Sequence, residues 1–480
     1  MRVRNRNNSG KVPRYEEIAS RIANLVSEGV FRPGEKVPSV RKLSRQMSVS
    51  TNTVIEAYGM LEDRRLIEAR PQSGYYVCPR LPAIPDPPDV MQTPPNPMSI
   101  GSSEISLMIM RDTLRSDVVQ LGAAVPNVQH LPVDKLNRIL TTETRRFGHQ
   151  SFSYMISPGL EKLRFQIAKR AVDCGATLSA GELVITSGCV EAVKLSLQAV
   201  CRPGDTIAVE SPVYFNFLLM ARELGLRVLE IPSTPREGIS IEALRYALEY
   251  NPVKACLVIT NFTNPLGSLM PNERKKELVD LLAHHEIPLI EDDIYGDLSF
   301  ANERPMVAKA YDKKGLVILC SSVSKTLVPG YRIGWVAPGK FQQEIEQLKL
   351  MTNVATASPT QLAIAEFLAG GGYDRHLRAI RRIYAKQVAL MGEAIGKHFP
   401  EGTRVTRPAG GFVVWVEMPE RVNALKLYEL AIRRRITIAP GPIFSASGKY
   451  RNNIRLNAAH WSEKIEQAVQ TLGKLAEGLI

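Results

Sequence analysis

The stretch GLVILCSSVSKTLVPGYR, residues 315–332, decides how the rest of the chain is read. Its first third, residues 315–320, is apolar enough to be a buried strand. Ser321, Ser322 and Ser324 follow, and Lys325 stands just past the strand end. A lysine held there leaves water, and an amine out of water loses proton affinity and becomes a nucleophile. Such an amine suits imine formation with an aldehyde. Seven residues later comes Arg332, whose guanidinium can fork onto two oxygens of one phosphate. Taken alone, Ser-x-Ser-Lys is a weak signal, because most lysines are solvated surface charges.

Other apolar runs at 183–186, 206–210, 227–231, 255–260, 288–291 and 333–336 alternate with amphipathic helical segments. That rhythm predicts an α/β domain with a mostly parallel seven-stranded sheet, covered by helices on both faces. Ligands bind such sheets at the C-terminal strand ends. After the first run, Ser187-Gly188-Cys189-Val190 turns into a helix, and free N–H groups at a helix start bind phosphate. After the second, Tyr214 is placed to stack on an aromatic ring. After the fourth, Asn264 in Asn261-Phe262-Thr263-Asn264-Pro265-Leu266-Gly267 is a side-chain donor. After the fifth come Asp292, Asp293 and Tyr295. Two carboxylates at a buried strand end are costly unless paired, and a protonated ring nitrogen would pair one. Each motif has a plainer reading by itself: an ordinary turn, a core tyrosine, a turn asparagine, a metal site or a helix cap.

The chain opens differently. Residues 1–80 hold 15 Lys+Arg against 8 Asp+Glu, so over half of the net charge of +13 lies in one sixth of the length. A compact basic module points to a polyanion, most often nucleic acid. Ile18, Ile22, Leu25 and Val26 make one helix face; Ser39 and Ser50 cap two further helices. Val40, Leu43 and Met47 point inward from the second helix, and Val54, Tyr58 and Leu61 from the third. Residues 66–70 and 75–77 read as a hairpin with Gly74 at positive φ. Three helices and a hairpin predict a winged helix-turn-helix, with basic charge expected on the third helix and the wing.

Pro38-Ser39-Val40-Arg41, Ser50-Thr51-Asn52-Thr53-Val54, Ala57-Tyr58, Leu61-Glu62 and Gly74 resemble the GntR family of winged-helix repressors. The resemblance departs at Thr51, where the family commonly has arginine. Thr51, Asn52 and Thr53 remain at the helix end that enters the major groove, next to Ser50, with Gly74 in the wing. Arg41 and Arg70, then Lys42 and Arg45, are the phosphate candidates.

The order of motifs from Gly188 to Arg332 resembles the fold-type I aminotransferases, enzymes of pyridoxal 5′-phosphate (PLP). The resemblance implies that Lys325 forms the imine with PLP and that Asp292 keeps the ring nitrogen protonated. It assigns Tyr295 and Asn264 to the ring's phenolic oxygen, and Tyr214 to stacking. Backbone N–H groups of Cys189 and Val190, with Ser322, Ser324 and Arg332, hold the phosphate. Tyr154, in Tyr-Met-Ile-Ser-Pro-Gly, matches a tyrosine that reaches the partner subunit's phosphate, and Arg455 matches the arginine that grips a substrate α-carboxylate.

Together, the two modules resemble the MocR subfamily of regulators. The implied layout is a basic N-terminus at 1–12, a DNA-binding domain at 13–80, a linker at 81–115 and a PLP domain at 116–480. A smaller C-terminal α+β subdomain is expected at about 345–480. Eight prolines between Pro79 and Pro97 make the linker semi-rigid and extended. The implied protein is a homodimer that binds a double-stranded operator and senses PLP or an amine effector, with a linker long enough to exchange DNA-binding domains. An active aminotransferase with a DNA-binding appendage, and a DNA-binding protein using the PLP fold as a scaffold, are the competing readings. Six scattered cysteines without a Cys-x-x-Cys pair point away from zinc and disulfides, and toward the cytoplasm. No apolar run has membrane-spanning length.

Overall fold

The computed structural model describes residues 13–27, 30–31, 33–64, 66–70, 73–78, 84–88, 97–98, 111, 115 and 117–480. The N-terminus at 1–12, most of the expected linker, Arg65 and Gln72 lie outside these residues. The chain divides into two compact units, Met1–Ile84 and Pro85–Ile480. Among the described residues, no helix is long and apolar enough to cross a membrane.

The first unit packs α1 (Arg14–Ser27), α2 (Val40–Met47) and α3 (Thr51–Asp63) against the hairpin β1 (Ile67–Arg70) and β2 (Gly74–Val77). Ile18, Ile22, Val26, Leu43, Val54, Tyr58, Leu61, Ile67 and Val77 form its core. Ser39 and Ser50 cap α2 and α3 as expected, accepting from Lys42 N and Thr53 N. Between the helices Ser48 takes positive φ, and Ser44 Oγ donates to Val49 O at 2.7 Å, which sets the tight turn. One expectation fails. The third helix carries Glu56, Glu62 and Asp63 and no lysine or arginine. Cations sit instead on α1 (Arg14, Arg21), on α2 (Arg41, Lys42, Arg45) and in the wing (Arg70).

The second unit begins with β3 (Val119–Gln120). Its large sheet contains β4 (Val184–Thr186), β5 (Thr206–Ser211), β6 (Arg227–Thr234), β7 (Gly238–Ile239), β8 (Val253–Val258), β9 (Leu289–Asp292), β10 (Val317–Ser322) and β11 (Gly334–Ala337). The spatial order is β4-β11-β10-β9-β8-β5-β6-β7. Seven of these are the expected strands. The eighth, β7, is a two-residue antiparallel addition at the β6 edge that no apolar run announces. Only β11 breaks the parallel run of the seven, returning antiparallel between β10 and β4. Buried clusters line both faces, with Ile207, Val209 and Leu257 in one and Ala208, Cys256 and Val258 in another. This alternation is what a sheet covered on both sides requires.

A smaller antiparallel sheet combines β12 (Arg404–Val405), β13 (Val413–Glu417), β15 (Ala439–Pro440) and β16 (Asn453–Asn457). Between them β14 (Ile436–Thr437) pairs with β3, tying residues 119–120 to this C-terminal layer.

Two glycines set how closely β11 approaches the β4 turn. A Cβ on Gly334 would lie 2.5 Å from the carbonyl carbon of Gly188. Backbone atoms on both sides cannot yield cheaply. Gly334→Ala should therefore cost about 1–3 kcal/mol, read as an earlier denaturant midpoint for the large unit. An unchanged midpoint would show that the two turns do not pack this closely.

Candidate functional site

The register of the large sheet assembles the site. Cys320 of β10 pairs with Asp292 of β9, and Gly334 of β11 pairs with Thr186 of β4. The segments that leave these strands, 186–190, 292–295 and 322–325, therefore emerge side by side.

Lys325 Nζ is partly buried and donates to Ala124 O at 2.6 Å. Its ammonium lies 6.0 Å from the Tyr295 ring centroid. Burial first, and the nearby Arg455 guanidinium second, bring its pKa down to about 8, while Asp292 opposes them. Asp292 is buried, and burial pushes its pKa up to about 7 against the hydrogen bonds it accepts. Those bonds come from Cys189 Sγ at 3.2 Å and Ile294 N at 3.0 Å. The neighbouring Asp293 turns away to an ion pair with Arg304 and accepts from Asn261 Nδ2 at 2.7 Å. The paired carboxylates thus separate into a structural anion with its own cation and a second carboxyl facing the Lys325 pocket.

The turn after β4 and the loop after β10 make an anion cradle. Gly188 has φ 89°, and a Cβ there would overlap Arg332 Nη2. Arg332 Nη2 donates to Ser187 O at 3.0 Å, and Nη1 to Ser324 Oγ at 3.3 Å. Ser322 Oγ accepts from Ser324 N at 3.2 Å. The helix Cys189–Val200 starts at this point, so its first N–H groups face the same space.

On the opposite side, Arg455 projects from β16 into the site, 1% exposed. Nη1 donates to Asn264 Oδ1 at 3.0 Å, Nη2 donates to Gly122 O, and the guanidinium lies 5.4 Å from the Phe444 ring centroid. Among the described residues, its Nε is buried without a hydrogen-bond partner, as is Tyr295 Oη. Burial raises the Tyr295 phenol, and it pushes the Tyr214 phenol up to about 12. Tyr214 lies next to Phe215 and Phe217, edge to face at 5.1 and 5.4 Å.

This donor set fits a phosphorylated aromatic aldehyde. It offers an amine of lowered proton affinity, a carboxyl poised near pH 7, two unsatisfied buried donors and a cradle only glycine permits. Two expected residues are exposed, Val190 at 43% and Tyr154 at 81%; the expectation concerned the backbone N–H of Val190, and a partner subunit for Tyr154. Cys189 enters through its thiol as well as its backbone, a role its position gave no reason to expect. Gly122 and Ala124 were also missed; they act through carbonyl oxygens, which leave no trace in residue type.

The first unit presents a second interface. Arg41, Lys42 and Arg45 on α2, and Thr51 and Asn52 on α3, are exposed. Ser50 Oγ and Thr53 Oγ1 lie 2.8 Å apart and bond each other, so both serve the cap first. In the wing Arg70 pairs with Glu68 at 2.8 Å and stacks 4.4 Å from the Tyr76 ring centroid. Gly74 has φ 107°, with Lys36 packed against it.

Residues 116–472 match the family described as aminotransferase class I and II, and residues 14–77 match bacterial regulatory proteins of the gntR family. The chain is 39% identical over 462 residues to the HTH-type transcriptional regulator YjiR of Escherichia coli, covering 96% of this chain and 98% of that one. Its fold is similar to that of a multiple substrate aminotransferase from Thermococcus profundus, at TM-score 0.73 and 26% identity, covering 79% of this chain and 96% of the other. It is also similar to LysN, an α-aminoadipate aminotransferase from Thermus thermophilus solved with N-(5′-phosphopyridoxyl)-L-leucine. There the TM-score is 0.72 at 27% identity, over 77% of this chain and 95% of the other.

The raised pKa of Asp292 carries a stability consequence. Its contribution is fully present below the unfolded carboxylate range near 4 and is lost as pH rises through about 7. Asp292→Asn removes this loss. The cofactor-free variant should be more stable than the cofactor-free parent at pH 8 by a few kcal/mol (~1.4 per pKa unit), and the gap should close toward pH 4. Denaturant melts across this range check it; a gap independent of pH would contradict the burial argument.

Proposed function

The chain belongs to the aminotransferase class I and II family and carries a gntR-family DNA-binding module ahead of that domain. On this premise we propose that it is a MocR-type transcriptional regulator whose DNA binding answers to PLP, or to an amine condensing with PLP, at Lys325. One observation carries the reading: the complete Lys325–Asp292–Arg332 constellation shares a chain with a winged helix that an ordinary aminotransferase does not need. We take residues 13–80 as the DNA-binding domain, 81–115 as the linker, and 116–480 as the PLP domain.

Bound PLP would supply an aldehyde that condenses reversibly with amines and a ring that withdraws electrons when protonated. Lys325 provides the competing amine. With its pKa near 8, an appreciable fraction is unprotonated at neutral pH. Asp292, near 7, offers an anion for a ring nitrogen, and the Cys189 thiol steadies its carboxylate. Gly188, Cys189, Val190, Ser322, Ser324 and Arg332 would hold the phosphate, Tyr214 would stack, and Asn264 and Tyr295 would meet the phenolic oxygen. Arg455 would grip the carboxylate of an amino-acid effector. To do so it must exchange its bonds to Gly122 O and Asn264 for that carboxylate. Because Asn264 follows β8 of the large sheet while Arg455 and Gly122 lie with the C-terminal layer, effector binding would pull on both layers of the large unit.

A regulator of this kind works by linkage. An effector changes operator affinity only by the difference in its affinity for two arrangements of the protein. A homodimer gives those arrangements. It is supported by an exposed apolar strip, Phe152 at 91%, Tyr154 at 81% and Ile156 at 58%. Ile156 bridges to Ala355, beside exposed Met351 and Val354. Such a strip is unusual on a monomer, and it would place Tyr154 at a partner subunit's phosphate. A cytoplasmic setting follows from the DNA partner. An Arg455 that grips an amino-acid carboxylate would favour some transamination activity, and this is the second reading.

The test pairs absorbance with DNA binding. Full-length protein mixed with PLP should gain a visible band that Lys325→Ala lacks. A saturating amine should then alter both the band and operator affinity, and a band that changes while affinity and dimer geometry stay fixed would refute sensing. On the DNA side, Arg41→Ala should weaken binding on every sequence and lower the salt slope by about 1. A loss confined to one base pair would reassign Arg41 from phosphate to base.

A further inference from the structure

On α3, Val54, Ala57, Tyr58 and Leu61 are buried, so the opposite face presents Thr51, Asn52, Ile55 and Glu56. Ile55 is the anomaly: it is 50% exposed. Among the described residues of the first unit, only Val30 is another large exposed aliphatic, and it lies beyond the end of α1. Local helix preference does not account for it. A β-branched side chain loses rotamer freedom in a helix, and straight polar residues do better at exposed sites. The core does not account for it either, since Ile55 does not belong to the apolar cluster of this unit.

The surroundings of Ile55 identify its partner. Thr51 lies four residues earlier and Asn52 three, so all three share one strip of the helix surface. That strip holds no cation, and Glu56 beside it is an anion. A face of this charge is unsuited to phosphates; the exposed Arg41, Lys42 and Arg45 of α2 supply that attraction. What remains for the strip is the floor of the major groove. Only one group there is apolar, the 5-methyl of thymine.

We propose that Ile55 is a specificity-determining residue that packs against a thymine 5-methyl, one helical turn beyond the bases met by Thr51 and Asn52. This rests on the DNA-binding reading of the module and assigns it a base preference.

The probe is a duplex that the full-length protein selects from a randomised pool, resynthesised with deoxyuridine replacing thymidine one position at a time. Uracil keeps every hydrogen bond of thymine and lacks only the methyl. The parent protein should lose about fourfold in affinity at one thymine per half-site. Ile55→Ala should bind the thymine and uracil versions of that position equally while keeping its other preferences. Ile55→Val, which retains branching and helix geometry, should show a reduced but measurable difference, and it serves if the alanine variant folds poorly. Insensitivity of the parent to every uracil substitution would overturn the proposal. So would a methyl effect that persists at full size in both variants. If Ile55→Ala instead changes oligomeric state and leaves thymine preference intact, the face is a protein interface and the proposal is wrong. Should no duplex be selected at all, the DNA-binding reading falls and takes this one with it.

Discussion

Asp292 and Lys325 are ionisable groups taken out of water at the ends of neighbouring strands, and the architecture around them exists to make that tolerable. The pairing of Cys320 with Asp292 puts the carboxyl beside the loop that carries the lysine. Cys189 and the Ile294 amide bond the carboxyl, and Ala124 O receives the ammonium. Asp293, the adjacent residue, is neutralised separately by Arg304. Had both carboxyls faced one pocket, their repulsion would have pushed one of them far up in pKa. Turning them to opposite sides leaves Asp292 close to neutral pH.

The same edge explains the position of the anion cradle. The parallel strands end there, and β11 runs back between β10 and β4. Arg332 stands just before β11 at positive φ and so meets the Gly188 turn directly. Two glycines, 188 and 334, permit the approach. Arg455 comes from a different sheet altogether. Its reach into the site ties the site to the C-terminal layer. In the first unit the division of labour is similar in kind. On the proposed reading, cations on α2 and in the wing would serve long-range attraction, and α3, free of cations, would read bases.

Much of this was legible in the sequence, and for identifiable reasons. Seven of the eight strands of the large sheet each carry an apolar run bounded by turn residues, so their existence followed from periodicity. Ser39, Ser50, Leu43, Val54 and Tyr58 follow helix capping and spacing rules that act locally. Lys325, Asp292, Asn264, Tyr295 and Arg332 follow one another at strand ends, and strand ends are where such sheets bind ligands. The assumed basic charge of the third helix was wrong because the net charge of a module does not say which helix bears it. The short β7 escaped because two residues carry no period.

The sequence by itself determined which residues could be chemical: local propensity placed the strands and caps, and residue type named the lysine, the carboxyls and the arginines. Only the tertiary structure decided what each of them faces. Register chose Asp292 over Asp293 for the pocket, brought the Cys189 thiol to its oxygen, and set the carbonyls of Gly122 and Ala124 against Arg455 and Lys325. It also left Ile55 in water on an otherwise polar strip. These are contacts between segments up to hundreds of residues apart, and some act through backbone atoms common to every residue. No local pattern in the chain can encode them.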